Sequence, residues 1–301
     1  MAGLCEGRVA IVTGAGRGIG REHSLLLAAE GAKVVVNDLG GSAEGEGASA
    51  GPAQEVVDEI VAAGGEAVAN TDDISDWGGA ERLVAQAVET FGGLDVLVNN
   101  AGILRDRMLA NMSEAEWDAV IKVHLKGTAG PSHFAAAYWR DRSKAGETNV
   151  ARIINTTSPS GIYGNVGQTN YGAAKAGIAA FTIIAADELG RYGVTVNAIA
   201  PAALTRLTAG LAGGGEPSDE LKESLSPKWI APIITWLASE ESSAVTGRVF
   251  DVAGETLAVA EGWHRGPQVV GSQDPSDLGP LVEQLMSQAR PNADMFGADR
   301  T

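Results

Sequence analysis

The chain alternates short runs of Val, Ile and Leu with stretches of helical composition along most of its length. The apolar runs are continuous, so they predict strands that are buried on both faces of a sheet. Helices between such strands require right-handed parallel crossovers, which indicates an α/β fold with a doubly wound parallel sheet. The predicted strands are 8–12, 33–37, 66–70, 94–98, 152–156, 193–199 and 247–252.

No linker-like composition divides the 301 residues, so we predict a single domain over 1–254. Three segments depart from the strand and helix pattern. The Gly-rich 40–52 is predicted to be a loop, and 202–228 a lid over the substrate. Residues 255–301 form a C-terminal extension with a short helix around 278–289, either packed on the domain or placed at a subunit interface.

Composition excludes several classes of function. The formal charge of −16 and the lack of a basic stripe argue against nucleic acid and anionic lipid as partners. No apolar run is long enough to cross a membrane, and the opening residues lack the pattern of a secretory signal. Cys5 is the only cysteine, so the chain needs no oxidising compartment and a cytoplasmic location is expected. Nothing in the sequence supports a metal site.

A glycine-rich turn follows the first predicted strand. Residues 13–20 read Thr-Gly-Ala-Gly-Arg-Gly-Ile-Gly, and helical composition continues over 21–30. Glycines allow a tight turn and a close approach to a pyrophosphate, which the free N–H groups of the helix start attract. Such a turn can also serve only to join a strand to a helix, so it needs support from other residues.

Asp38 supplies that support at the end of the second predicted strand. Its carboxylate is placed to accept the ribose hydroxyls of a dinucleotide and to repel a 2′-phosphate, which favours NAD over NADP. Arg17 acts in the opposite direction because it can receive a 2′-phosphate. We give Asp38 the greater weight, since the phosphate would lie almost against it; the alternative is a simple turn former.

Tyr171 and Lys175 are four residues apart at the start of a predicted helix and therefore share one helical face. A tyrosine of ordinary pKa near 10 is a poor base at neutral pH, and an adjacent ammonium predicts a lower pKa for Tyr171. Ser158 follows the fifth predicted strand, at the edge where doubly wound sheets bind ligands. Its hydroxyl can hydrogen-bond a substrate oxygen. The alternatives are an exposed helical pair and a turn serine.

Together these residues resemble the short-chain dehydrogenase/reductase family, which has a Rossmann-type fold. The matching elements are the glycine motif at 13–20, Asn-Asn-Ala-Gly at 99–102, and the catalytic group Ser158, Tyr171 and Lys175, all in the family order over about residues 6–254. The resemblance implies these cofactor contacts: Gly14, Gly16, Arg17, Gly18, Ile19, Gly20, Asp38, Leu39, Asp73, Ile74, Asn100, Ala101, Gly102, Tyr171, Lys175, Pro201 and Thr205.

The same resemblance implies individual roles. Asp73 and Ile74 would flank the adenine, Asn100 would stabilise the central strand, and Pro201 would begin the segment over the nicotinamide. Lys175 would also hydrogen-bond the nicotinamide ribose. The family further suggests a homotetramer or homodimer.

Longer stretches are similar to one branch of the family, the (3R)-hydroxyacyl-CoA dehydrogenase domain of peroxisomal multifunctional enzyme type 2 and its bacterial single-domain relatives. These stretches are VNDLGG at 36–41, NNAGILRD at 99–106, KVHLKG at 122–127 and SGIYGNVGQTNY at 160–171. This likeness implies a CoA thioester as substrate class, either an acyl chain or a CoA-linked steroid or ring alcohol.

Some positions depart from the family pattern. His124 replaces the usual asparagine of the proton relay; it is a catalytic candidate, with a purely structural role as the alternative. Ala202 replaces a glycine after Pro201, which weakens Thr205 as the carboxamide contact. Cationic candidates for the CoA phosphates, each equally able to form a surface ion pair, are Arg105, Arg107, Arg206, Lys222 and Lys228.

The sequence therefore predicts an NAD(H)-dependent oxidoreductase that interconverts a secondary alcohol and a ketone, with Tyr171 as proton-transfer group. The nearest alternative is an NADPH-dependent 3-ketoacyl reductase. An alternative of another class is an NAD-binding sensor or scaffold without turnover, against which the intact Ser158, Tyr171 and Lys175 argue.

Overall fold

The computed structural model describes residues 3–42, 44–47, 49–205 and 218–300 of the chain. The predicted α/β fold with a doubly wound sheet is confirmed. The strands β1 to β8 are Val9–Thr13, Lys33–Asn37, Glu66–Asn70, Val96–Asn99, Ala151–Thr156, Val194–Ala202, Val249–Ala253 and Thr256–Ala260. The helices α1 to α10 are Gly18–Ala29, Gly51–Ala62, Trp77–Phe91, Glu114–Ile121, Gly127–Lys144, Pro159–Ile162, Thr169–Leu189, Asp219–Ser224, Ala231–Ala238 and Leu278–Gln288.

The strands form one sheet in the order β3-β2-β1-β4-β5-β6-β7-β8. All neighbours pair in parallel except β7 and β8, which are antiparallel. The chain moves outward from β1 to β3 and then returns to place β4 on the other side of β1. The carboxyl ends of β1 and β4 therefore border the crevice in which such sheets bind ligands.

Successive side chains of each strand enter two different cores, which explains the continuous apolar runs. On β1, Ala10 and Val12 belong to the core that also contains Leu27 of α1. Val9 and Ile11 belong to the opposite core, together with Trp139 of α5 and residues of α3 and α7. Helices thus cover both faces of the sheet.

Local signals set the helix ends around the crevice. The Asp76 side chain accepts a hydrogen bond from Gly79 N at 2.8 Å and starts α3, which ends at Gly92 with φ 85°. A capping box of Ser113 and Glu116 starts α4. One π-helical turn, Lys122–Lys126, joins α4 to α5. Such turns are frequent at functional sites.

The C-terminal extension contributes to the sheet. β8 follows β7 after a short turn and was not predicted as a strand. The helix predicted around 278–289 is α10, every residue of which is at least partly exposed. The end of the extension returns to the body of the protein at Tyr163. The central part of the predicted lid, including Arg206, lies outside the described residues.

His23 is fully buried on α1, and among the described residues neither of its ring nitrogens has a hydrogen-bond partner. Burial lowers its pKa to about 3. An unfolded histidine binds a proton near pH 6.5, whereas the folded one stays neutral down to about pH 3. The contribution of His23 to the free energy of unfolding is therefore fully present above about pH 6.5, and it is lost as the pH falls from 6.5 towards 3.

We expect His23→Leu to weaken the pH dependence of the free energy of unfolding. Between about pH 7 and pH 5 the wild-type chain should lose about 2 kcal/mol through this one group, and the variant should lack that loss. Denaturant unfolding at several pH values measures it, with exposed His264→Leu as the matched control. Equal slopes for wild type and His23→Leu would contradict this origin.

Candidate active site

The glycine turn lies between β1 and α1 at the carboxyl edge of the sheet. Gly14 and Gly18 have φ of 62° and 54°, in the left-handed region that favours glycine. A Cβ at Gly20 would overlap the Gly14 carbonyl and come within 2.5 Å of the Asn100 amide nitrogen. Glycine at this position therefore lets α1 begin directly against the end of β4.

Asn100 joins the ends of β1 and β4. Its Nδ2 donates to the carbonyls of Thr13 and Gly14 at 3.0 and 3.1 Å. In return, the Thr13 hydroxyl accepts hydrogen bonds from the backbone N–H groups of Asn100 and Ala101. These four bonds tie the two strand ends together at the floor of the crevice.

Asp38 lies at the other end of the same cleft. Its two carboxylate oxygens accept hydrogen bonds from Gly16 N at 2.8 Å and Gly40 N at 2.7 Å. Arg17 is exposed, and its Nη1 donates to Gly41 O at 3.4 Å, so the cation lies beside the glycine-rich loop. Asp38 and Arg17, the two residues predicted to decide between NAD and NADP, therefore lie at the same end of the cleft.

The cleft brings together almost all the predicted cofactor residues. Its walls include Gly14, Arg17, Gly18, Ile19, Gly20, Asp38, Leu39, Ile74, Asn100, Ala101, Gly102, Tyr171, Lys175, Pro201 and Thr205. Gly16 contacts Asp38 through its backbone N–H but does not itself line the cleft. Thr205 lies close to Gly18 of the glycine turn.

Of the two predicted adenine contacts, Ile74 lines the cleft and Asp73 does not. The Asp73 carboxylate accepts hydrogen bonds from the backbone and hydroxyl of Ser75 at 2.9 and 2.5 Å. Asp72 lines the cleft in its place. Asp72 is held there by Arg82, whose Nε donates to it at 2.8 Å.

Ser158, Tyr171 and Lys175 converge at the end of the cleft opposite Asp38. Tyr171 is the third residue of α7, and Lys175 follows one turn later with its Nζ 5.5 Å from the Tyr171 ring centre. Ser158 caps α6 by accepting a hydrogen bond from Ser160 N at 3.2 Å, and its hydroxyl is close enough to Tyr171 to lower the pKa of that side chain. A Cβ at Gly161 would lie 2.6 Å from the Lys175 Cβ, so α6 packs directly against α7.

Burial moves both ionisable groups of this cluster towards neutrality. Desolvation raises the pKa of Tyr171 to about 12. The Ser158 hydroxyl acts in the opposite direction and lowers this pKa, whereas the charge of Asp106 raises it further. Desolvation also lowers the pKa of Lys175 to about 7. The predicted lowering of the Tyr171 pKa is therefore wrong for this structure. The Lys175 Nζ donates to Thr156 O at 2.6 Å and lies 5.5 Å from the centre of the tyrosine ring.

His124 lies in the π-helical turn, buried against Tyr171 in an edge-on contact of 5.1 Å between ring centres. Its Nε2 is 3.1 Å from Ile103 N and 2.8 Å from Ile103 O, and its Nδ1 has no hydrogen-bond partner among the described residues. Burial, followed by the charge of Lys175, lowers its pKa to about 3. His124 is therefore neutral near physiological pH.

Sequence reasoning missed part of the cleft. Ile103 and Val123 pack with Tyr171 in one apolar cluster, and Leu104 lines the same end. Gln168 ties the neighbouring loops together by donating to Asp106 at 2.7 Å and accepting from the Ser160 hydroxyl at 2.7 Å. The apolar residues of ILRD at 103–106 and the segment QTNY at 168–171 are apparent in the sequence. Their spacing along the chain gives no indication that they lie at one site.

The cationic candidates for CoA phosphates have other partners. Arg105 donates to Glu44 O at 3.0 Å and lies 3.8 Å from Glu46. Arg107 forms an ion pair with Glu116 at 3.0 Å. Lys222 lies 3.6 Å from Asp219, while Lys228 is exposed. Arg105, Arg107 and Lys222 therefore have acidic partners with which a CoA phosphate would have to compete.

The fold and this cleft define a nucleotide-dependent oxidoreductase, and comparison with known proteins gives its family. The model of the short chain dehydrogenase family matches residues 8–211. The chain belongs to this family and is an oxidoreductase that acts on CH–OH groups, interconverting a secondary alcohol and a ketone.

Individual relatives cover most of the chain. Hydroxyacyl-CoA dehydrogenase ChsB1 of Mycobacterium tuberculosis is 44% identical over 98% of this chain and 93% of its own length. Peroxisomal multifunctional enzyme type 2 of Drosophila melanogaster is 49% identical over 78% of this chain but only 37% of its own length. A short chain dehydrogenase from Mycobacterium avium shares the fold with a TM-score of 0.87 and 55% identity, covering 98% of this chain and 100% of that one.

The described residues also bear on membranes and metals. Of the helices described, none combines the length and hydropathy needed to span a bilayer. Within the described ranges, no three His, Cys, Asp or Glu side chains converge as a metal site.

We expect Gly20→Ala to lower both stability and dinucleotide affinity. The added methyl group would push α1 away from Gly14 and Asn100, at a cost of about 1–3 kcal/mol. Thermal unfolding and cofactor titration measure the two effects. Gly279→Ala on α10 is the matched control, because nothing lies within 4 Å of its added Cβ and the change should be neutral or stabilising. Unaltered cofactor affinity in Gly20→Ala would count against this close packing.

Proposed function

We propose that the protein catalyses NAD(H)-dependent interconversion of a 3-hydroxyacyl-CoA, or a related CoA-linked ring alcohol, and its ketone. One observation carries the proposal: a single cleft is lined by Tyr171 and Lys175 towards one end, with Ser158 beside them, and by Asp38 towards the other. An extended dinucleotide would reach from the ribose-binding carboxylate at one end of the cleft to the proton-transfer group at the other.

The cleft fits a dinucleotide. A Cβ at Gly16 would lie 2.9 Å from the Asp38 carboxylate, so the backbone of the glycine turn passes directly beside the proposed ribose contact. The N-terminus of α1 faces the same space and favours a pyrophosphate. We assign the adenine side to Ile74 and Asp72, and the nicotinamide side to Tyr171, Lys175 and Pro201.

In oxidation, we assign Tyr171 the role of accepting the hydroxyl proton of the alcohol. Ser158 donates a hydrogen bond to the same oxygen and holds it in place. When bound, the nicotinamide supplies the acceptor for the hydride. Lys175 in its ammonium form stabilises the tyrosine phenolate and hydrogen-bonds the nicotinamide ribose. Burial holds the pKa of Lys175 near 7, so a nearby anion is enough to shift its amine to the charged ammonium form.

His124 completes the proposed site as a neutral positioning residue. Its contact with the Ile103 backbone fixes the loop after β4, and its ring supports the edge of Tyr171. A group with a pKa of about 3 does not titrate near neutral pH, so we assign it no proton transfer.

Asp38 supports NAD rather than NADP as the cofactor. Its carboxylate is fixed by Gly16 and Gly40, and a 2′-phosphate at this position would face its negative charge. Arg17 lies at the same end and supports the rival NADPH-dependent reductase. Fixed geometry favours Asp38, because Arg17 is exposed and held by one long hydrogen bond.

A CoA-linked substrate is supported by the names of the relatives and by the apolar residues beside Tyr171. Ile103, Leu104 and Val123 offer a surface for an acyl chain or ring. The net charge of −16 opposes an anionic ligand at long range. Local cations must therefore compensate, and exposed pairs such as that of Arg107 are weak enough to rearrange.

We also infer a homotetramer or homodimer in the cytoplasm, with a place in lipid metabolism. β8 is an edge strand of Thr-Leu-Ala-Val-Ala on which Leu257 and Val259 are exposed. α10 exposes Leu278, Val282 and Met286. A second copy is the occupant that would cover these surfaces, because an uncharged edge strand otherwise invites uncontrolled pairing. Sedimentation analysis of the purified chain measures the state.

We expect Tyr171→Phe to lower turnover by about 10²- to 10⁴-fold while cofactor affinity changes little, because only the proton-transfer hydroxyl is removed. Steady-state kinetics and cofactor titration separate the two effects. Tyr192→Phe, in the short turn after α7, serves as the control. Near-wild-type turnover in Tyr171→Phe would refute the mechanism.

We expect the wild-type protein to prefer NAD, and Asp38→Ala to narrow that preference by removing the charge that repels a 2′-phosphate. Catalytic efficiency with both cofactors decides it. Arg17→Ala should leave the preference for NAD in place. A wild-type preference for NADP would instead assign the decisive role to Arg17 and support the reductase alternative.

The substrate class is tested with a 3-hydroxyacyl-CoA, its free acid and a simple secondary alcohol at two ionic strengths. We expect the CoA thioester to have the highest catalytic efficiency, since binding of the remote CoA portion helps to orient the reacting carbon. Equal efficiencies without salt dependence would exclude the CoA proposal. Cofactor binding without turnover of any alcohol would favour a sensor or scaffold.

A further inference from the structure

The end of the C-terminal extension forms a compact loop of its own. Ala293 and Asp299 form an isolated antiparallel bridge, and Arg290 is paired with Asp299 at 2.8 Å. Arg300 N donates to Asn292 O at 2.9 Å. These contacts hold the final residues of the described chain in a defined place, close to α6.

Arg300 connects this loop to the body of the protein. Its Nε donates to Ala293 O at 2.8 Å within the loop, and its Nη2 donates to Tyr163 O at 2.9 Å. Tyr163 is the C-cap residue of α6, directly after its last residue Ile162. Carbonyls at the end of a helix lack partners within the helix, and a cation there is favourable. Arg300 thus supplies the bond that closes the end of α6.

Tyr163 is held from a second side by the sheet. Its hydroxyl donates to Asp251 Oδ2 at 3.0 Å, on β7. A Cβ at Gly297 would lie 3.2 Å from the same hydroxyl, so the loop also packs against this ring. The end of α6 is therefore fixed between β7 and the C-terminal loop.

The opposite end of α6 is Ser158. The whole helix is four residues long, and Ser158 O accepts hydrogen bonds from Gly161 N and Ile162 N at 2.9 and 3.1 Å. Tyr163 N donates to Pro159 O at 2.7 Å. Because α6 has only four residues, a displacement of Tyr163 at its C-terminal end also displaces Ser158 at its N-terminal end.

We propose that Arg300 is a positioning residue for Ser158, acting through the Tyr163 carbonyl and α6. This inference rests on the proposed role of Ser158 in holding the substrate oxygen. The far C-terminus of the chain then becomes part of the support of the active site. Arg300 does not touch the cleft, so its effect falls on turnover and not on cofactor binding.

The test is a double-mutant cycle of Arg300→Ala and Ser158→Ala on the full-length protein. We expect Arg300→Ala to lower kcat about three- to tenfold, with an unchanged dissociation constant for NAD. In the Ser158→Ala background the same change should have no further effect. A matched cycle with Asp38→Ala should instead be additive. Arg300→Lys, which keeps one charged donor, should recover part of the loss.

Arg265→Ala, an exposed arginine elsewhere in the extension, is the control and should leave kcat unchanged. Wild-type kcat in Arg300→Ala, or an equal loss with and without Ser158, would overturn this inference alone. Full activity of Ser158→Ala would instead refute the proposed role of Ser158 itself. A variant that ends at Asp299 repeats the test without a new side chain.

Discussion

The site depends on the hydrogen bonds that tie the end of β1 to the end of β4. Asn100 bonds the carbonyls of Thr13 and Gly14, and the Thr13 hydroxyl receives two backbone N–H groups in return. These two strands border the point at which the order of the sheet reverses, where a crevice must form. The same amide sets the distance of closest approach for Gly20 and hence for α1. The glycine turn and the floor of the cofactor cleft are both built around these hydrogen bonds.

Desolvation dominates the chemistry at the other end of the cleft. It holds Tyr171 protonated, brings Lys175 close to neutral and keeps His124 uncharged. The chain alone therefore does not make Tyr171 a base. A positive charge brought next to the tyrosine by an oxidised nicotinamide would change this balance, because each interaction is stronger in a dry site than in water. Proton transfer would then be coupled to the loading of the cofactor.

The sequence predicted the architecture well because buried parallel strands have an apolar signature: the bounds of β2 and β3 match the predicted 33–37 and 66–70. β8 was missed because Thr256–Ala260 is a short apolar run joined by a tight turn, which composition does not separate from a loop. The choice of Asp72 over Asp73 depends on the geometry of one turn. The Tyr171 pKa depends on the burial of both partners, which a spacing of four residues does not report.

We infer that the proton affinity of Tyr171 is set by burial in the free enzyme, and by the charges of Lys175 and the bound cofactor during turnover. Ultraviolet difference titration of the phenolate band, wild type minus Tyr171→Phe, measures it with and without oxidised NAD. We predict ionisation near pH 12 in the free protein and a fall of about two pH units or more in the binary complex. The same titration curve in both states would contradict this inference.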